Sequence, residues 1–183
     1  MAKLVRFVHQ SADGYIEGPN GEFDWAAMGP ELSDHGQVMN ETTDAFLYGR
    51  VVWDMMSSYW PKAEELSDDP HDIRYAPIWR EKPKIVVSRT LTSADWNTRV
   101  VSSVSDLAAL KDTLSGDLVL FGGSSLAGAL TAAGLIDEYQ IFVHPVVLGG
   151  GKPVFGPSPR IGLKLVESQV YDGNVVQLRY ALG

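Results

Sequence analysis

The sequence contains no cysteine, which excludes disulfides, thiolate nucleophiles and Cys-ligated metal centres. It is poor in positive charge, with 15 Lys and Arg against 23 Asp and Glu and a formal net charge of −8. No basic block offsets that balance, so binding to nucleic acid or to an anionic membrane is not expected. Long apolar runs are missing too, and nothing approaches the ~20 residues of a membrane span. The first apolar run, through Phe7-Val8-His9, is interrupted by Lys3 and Arg6 and is too short for a secretory leader, so a cytoplasmic protein is expected. No nucleophile elbow with a Ser-His-Asp set is visible. His35, His71 and His144 are scattered without metal-ligand spacing, and no metal is expected.

What remains is an ordinary globular composition, 45% hydrophobic and 21% charged over 183 residues. That length suits one domain, residues 1–183, with a sizeable core. Residues 3–9 read as a first strand, stopped by Ser11-Ala12-Asp13-Gly14, with Asp13 capping backbone N–H groups of the turn. A Gly- and Pro-containing loop runs from Gly18 to Phe23, and residues 31–43 read as a surface helix. Ala45–Tyr48 reads as a buried strand, and a helix begins over Val51–Met56. From Ser57 to Lys82 the density of Pro, Asp and aromatics predicts irregular chain. Strands follow at Lys84–Ser88 and Arg99–Ser102, then a helix over Ser105–Thr113 with Ser105 as its cap. Leu118–Phe121 is a strand and Leu126–Ala133 a helix closed by Gly134. A long strand is expected over Ile136–Leu148, interrupted by Pro145. Leu163–Val170 and Asn174–Leu182 form a hairpin about Tyr171-Asp172-Gly173. The alternation predicts an α/β fold, its sheet mostly parallel with an antiparallel C-terminal hairpin.

The stretch Leu118–Gly128 carries the strongest chemical signal. An apolar strand ends in Gly122-Gly123, and Ser124-Ser125 open an apolar helix. Paired glycines leave the backbone uncovered, and the N–H groups of a helix start favour an anion. Either a phosphate-bearing ligand sits there, or the turn is a plain one with Ser124 or Ser125 as N-cap. It is not the G-x-G-x-x-G fingerprint of a standard Rossmann domain. Gly49-Arg50 and Ser88-Arg89 also follow strands, so all three turns should share one sheet edge, where guanidinium groups suit phosphate.

Taken in order, Ser11-x-Asp13-Gly14-Tyr15-Ile16, Leu47-Tyr48-Gly49-Arg50, Lys84–Arg89, Phe121-Gly122-Gly123-Ser124, Gly134–Glu138 and Pro145–Phe155 resemble the dihydrofolate reductase-like superfamily. The closest branch is the reductase domain of bifunctional riboflavin-biosynthesis deaminase-reductases and its stand-alone relatives. The resemblance implies a three-layer fold and NADPH as cofactor. It puts Gly49, Arg50 and Ser88-Arg89 near the adenosine 2′-phosphate side, with Val51 and Val52 offering backbone N–H groups. Gly122, Gly123, Ser124, Ser125 and Leu126 would lie against the pyrophosphate, and His9 and Ile16 near the nicotinamide. Val52 stands where the family commonly has a threonine, which removes one hydroxyl from the phosphate site. The resemblance also implies a homodimer, as does an apolar sheet edge left by the hairpin and the long strand.

Reduction of a carbonyl or imine needs a proton for the heteroatom. The family's acid follows a tryptophan. Here Asp24 and Glu31 flank Trp25 and are the candidate donors, though neither falls in register, which argues against dihydrofolate. Trp25, Trp53, Met56 and Trp60 are candidates to hold a flat substrate. The sequence therefore predicts an NADPH-dependent reductase of a small heterocyclic or carbonyl compound. A riboflavin-pathway aminopyrimidine ribosyl compound is the best named class. The zinc-dependent deaminase half is excluded, because its cysteines are absent. The alternative is a non-catalytic nucleotide- or ligand-binding module on the same fold.

Overall fold

The computed structural model describes residues 2–183. Val-, Leu- and Phe-rich runs form its strands. In chain order the elements are β1 (Leu4–Ser11), β2 (Tyr15–Glu17), α1 (Pro30–Thr42), β3 (Thr43–Gly49), α2 (Arg50–Tyr59), a 3₁₀ turn (Trp60–Lys62), α3 (Ala63–Leu66) and α4 (Pro70–Glu81). There follow β4 (Lys84–Val87), β5 (Thr98–Val101), α5 (Val104–Lys111), β6 (Asp117–Phe121), α6 (Ser124–Ala132), β7 (Glu138–His144), β8 (Lys152–Pro153), β9 (Leu163–Tyr171) and β10 (Val175–Leu182). Eight strands form one sheet in the order β5-β4-β3-β6-β1-β7-β10-β9, and β2 and β8 pair separately. Every neighbour in the large sheet is parallel except β7–β10 and β10–β9.

Strand alternation divides β1 between two cores. Leu4 and Val8 pack with Leu107 of α5 and Ala127 and Leu130 of α6. Val5 and Phe7 face the other side, toward Leu32 of α1. Farther along that side, Phe46, Tyr48 and Val86 pack with Trp53 of α2 and Trp79 of α4. Trp79 donates its indole N–H to the Tyr48 hydroxyl at 3.0 Å, which satisfies both buried polar atoms. The result is the expected three-layer sandwich.

Several expectations need correction. Residues 57–82 are largely helical, not irregular. Two of their prolines occupy helix starts, where the missing N–H costs nothing, and Pro77 lies inside α4: Pro61 opens the 3₁₀ turn, Pro70 opens α4, and the Asp69 carboxylate accepts the His71 N–H at 2.8 Å. Composition scored Pro and Asp as loop formers, whereas position made them caps. The α5 cap is Ser103 rather than Ser105, its hydroxyl accepting from Asp106 N. The strand expected over Ile136–Leu148 is confined to Glu138–His144, because Pro145 cannot continue the ladder.

The segment beyond β7 straps the molecule together. The Asp13 carboxylate accepts from Leu148 N at 3.1 Å and Gly149 N at 2.8 Å, tying the first turn to this segment. Arg6 of β1, wholly buried, donates to the Val154 carbonyl and lies 4.9 Å from the Phe155 ring centre. Farther on, the strap crosses α6. A Cβ on Gly156 would stand 2.5 Å from the Ser124 carbonyl oxygen, and one on Gly128 would stand 2.7 Å from that of Pro157. Only glycine permits that approach.

Candidate functional site

The parallel strands β1, β3, β4, β6 and β7 all end at one edge, where α/β folds gather ligands. Two helices begin there side by side. Gly49 is the N-cap of α2 and Gly123 that of α6, and neither helix start has a side-chain cap. Their first N–H groups therefore lack an intrahelical or side-chain acceptor. A Cβ on Gly49 would lie 3.6 Å from Leu126, and Cβ atoms on Gly122 and Gly123 would lie 3.5 and 3.4 Å from Val52. Two positive dipole ends thus converge on one patch, where negative charge is favoured.

The Gly-Gly pair has a different reason from the one expected. Both residues adopt left-handed backbone, with φ of 61° and 58°, which a side chain would strain. Their Cβ directions face Val52, not open space. Neither serine is the N-cap: Ser124 is buried in the first turn and Ser125 is exposed. Val52 fills the space beneath the turn, while Val51 is exposed.

Arg50 is exposed at the α2 start, and its Nε donates to both Asp54 carboxylate oxygens, at 2.9 and 2.8 Å. Arg89 is exposed beyond β4. The Ser88 hydroxyl is turned inward, accepting from Thr90 N and Leu91 N at 3.3 and 3.1 Å, so it builds the turn that presents Arg89.

Along the same edge, at the end of β1, His9 Nδ1 lies 2.8 Å from Nε2 of His144 at the end of β7. The His9 ring stacks on Phe142 and meets Phe7 edge-on. Burial, followed by the neighbouring His144 and His71, pulls the His9 pKa down to about 3; burial also lowers that of His144. Both imidazoles are therefore neutral near pH 7. His144, with Trp25, Pro145, Asp172 and Asn174, lines a cavity of about 290 Å³. Trp25 stands edge-on to the His144 ring at 5.5 Å. Ile16 does not face this space; it is 7% exposed and packs in the core with Val8 and Val154.

The other substrate candidates divide. Trp53 is core, 5% exposed and stacked on Trp79 at 5.8 Å, so it offers no face to a ligand. Trp60 and Met56 form a half-buried pair, indole N–H to sulfur at 3.0 Å, beside Tyr75. Asp24 is exposed on the loop before α1. Glu31 is tied down: its carboxylate accepts from Asp172 N, and the Asp172 carboxylate accepts from Glu31 N and Leu32 N. Both candidate donors, Asp24 and Glu31, are exposed. His144 has no metal-ligand spacing in the sequence, and among the described residues no metal-holding cluster exists. Its partnership spans 135 positions, with no local signal.

The fold is shared with known proteins. Across all of this chain and 99% of its own, it matches a Shewanella sp. PV-4 structure named for riboflavin biosynthesis, with a TM-score of 0.78 and 26% identity. A dihydrofolate reductase from Enterococcus faecalis, solved with NADP(H), matches 99% of this chain and 96% of its own, with a TM-score of 0.63 at 17% identity; that likeness is of fold. In sequence, the uncharacterized protein YyaP of Bacillus subtilis is 36% identical over 184 residues, covering 97% of this chain and 94% of YyaP. The model of the RibD C-terminal domain matches residues 2–177, so the chain belongs to the RibD C-terminal domain family, on a dihydrofolate reductase-like fold.

Proposed function

We propose that this protein is an NADPH-dependent reductase of a small heterocyclic or carbonyl substrate. The observation that carries this reading is the pair of glycine-capped, side-chain-free helix N-termini meeting at the ends of β3 and β6. The N–H groups of Val51, Val52, Ser124, Ser125 and Leu126 suit a pyrophosphate, with Arg50 and Arg89 on the side of an additional phosphate. When bound, the cofactor supplies a hydride to an electrophilic carbon. This chain's residues hold and orient it and manage the proton. Family membership supports a reductase related to riboflavin biosynthesis. An aminopyrimidine carrying a phosphoribosyl chain is the first substrate to assay. The exposed Leu165, Val166 and Val170 on edge strand β9 support a homodimer built on that edge. Calorimetric titration with NADPH and NADH tests the reading. Micromolar NADPH binding with weaker NADH is expected, and no binding of either would overturn it.

A further inference from the structure

We propose that His9 and His144 form a two-ring proton relay, in which His9 protonates the reduced substrate while His144 takes up a compensating proton from the cavity beneath residues 24–29. The relay deepens the reductase reading and rests on it. A reductase needs a donor, and the two carboxylates offered by the sequence are unavailable: Asp24 lies on an exposed loop and Glu31 is held by Asp172. At 2.8 Å the imidazoles are within hydrogen-bonding distance.

Two neutral imidazoles joined this way hold two hydrogens, one between the rings and one on an outer nitrogen. The pair therefore has two arrangements. In the first, His144 Nε2–H donates to His9 Nδ1, and His9 carries its hydrogen on Nε2. In the second, His9 Nδ1–H donates to His144 Nε2, and His144 carries its hydrogen on Nδ1. During reduction the acceptor carbon gains a hydride, NADPH being oxidised to NADP⁺. The π electron pair moves to the oxygen or nitrogen, which takes the proton from His9 Nε2. The bridging hydrogen crosses to His9, and His144 Nδ1 takes a proton from water in the cavity. After product leaves, His9 Nε2 is reprotonated by water. The bridge then returns to His144, and Nδ1 releases its proton. One proton per turnover is consumed from solvent.

The surroundings fit that work. Phe142 and Phe7 fix the His9 ring, and Trp25 stands edge-on to His144, so a proton shift between the rings requires no ring rotation. The 290 Å³ cavity lined by His144 has room for water. The titratable groups facing the pair come from three elements. His71 of α4 has its Nδ1 2.9 Å from the Ser33 hydroxyl. His35 of α1 has its Nδ1 2.8 Å from the Tyr171 hydroxyl. Asp172, between β9 and β10, is occupied by Glu31 N and Leu32 N. Among the described residues no carboxylate bonds either ring of the pair, so neither is held as a permanent cation.

Imidazole ¹⁵N NMR of the ligand-free protein tests the pair directly between pH 7 and 8. Both rings should be neutral, with nitrogen shifts averaged between the two arrangements. His144→Phe should leave His9 in one tautomer. A wild-type His9 locked in a single tautomer across that range would overturn the relay. Fluorescence titration with NADPH on the same samples is the separate check on the reductase reading: a wild type that fails to bind NADPH defeats that reading, while the NMR still decides the pair. In turnover with menadione as hydride acceptor, His144→Phe should lose roughly 100-fold in kcat. Its KM for NADPH should change little, and added imidazole should restore part of the rate. Wild-type turnover in the variant overturns the relay.

Discussion

Replacing Gly123 with valine tests the anion site at its most constrained point. At φ 58° a side chain meets left-handed strain, worth about 1–2 kcal/mol. The added Cβ meets Val52 at 3.4 Å, which is tolerable, but one of the two branched methyls must press on Val52 or project over the helix start. Gly134, at the opposite end of α6, provides the matched control. Its φ is 67°, and a Cβ there meets nothing within 4 Å. Gly134→Val should therefore incur the same backbone strain far from the anion site. In a protein of this size both variants should lose roughly 2–8 °C in Tm. Only Gly123→Val should weaken NADPH. Hydrogen bonds to a charged group contribute about 1.5–3 kcal/mol each, so disturbing one loosens binding roughly 10- to 100-fold. Differential scanning fluorimetry and calorimetric titration give the two numbers. A folded Gly123→Val protein with wild-type NADPH affinity, or a Gly134→Val protein that loses it equally, refutes the placement.

Arg50→Ala and Arg89→Ala should each weaken NADPH by about tenfold and NADH much less; equal losses for both cofactors would remove the arginines from the additional phosphate. Because Asp54 holds Arg50 Nε, Asp54→Ala should tighten NADPH, which titration reads directly. Light scattering at micromolar concentration should give a dimer mass, and Val166→Lys on β9 should shift it toward monomer; a monomeric wild type contradicts the edge pairing. Dihydrofolate should be turned over feebly at best, and Glu31→Gln should leave that residual rate unchanged, since Glu31 serves the Asp172 turn; efficient turnover abolished by Glu31→Gln would reverse both statements. Stability should fall with acidity below pH ~6.5. His9 is held near 3 when folded, so between 6.5 and 3 the unfolded state binds the extra proton. That group removes up to about 1.4 kcal/mol per pH unit as pH drops. Urea titrations at pH 7 and 5 check the sign, and His9→Gln should flatten the difference.

How much was legible varied with how local the cause was. The Gly-Arg and Gly-Gly turns could be read, because a strand followed by glycine and a helix start is a contiguous pattern, and the parallel sheet delivers such turns to one edge. The helical character of residues 57–82 was hidden by composition. Pro70 and Asp69 are loop formers on average and helix starters in position, and only packing around Trp79 distinguishes the two. Trp53 looked like a substrate platform, yet it is buried against Trp79, since aromatic identity does not say which face a helix turns inward.

The sequence by itself determined the fold class, the family's motif order, the absence of thiol chemistry and the glycine turns that open helices at the strand ends. All of these follow from composition or from neighbours a few residues apart. The tertiary structure alone decided which polar groups are free to act. It bound Glu31 to Asp172, turned the Ser88 hydroxyl inward, and joined His9 to His144 across 135 positions. Those pairings depend on strand register and burial, on β1 lying beside β7 so that Ser11 faces His144 and His9 faces Phe142. Register comes from the whole core's best packing, and no short stretch of chain encodes it.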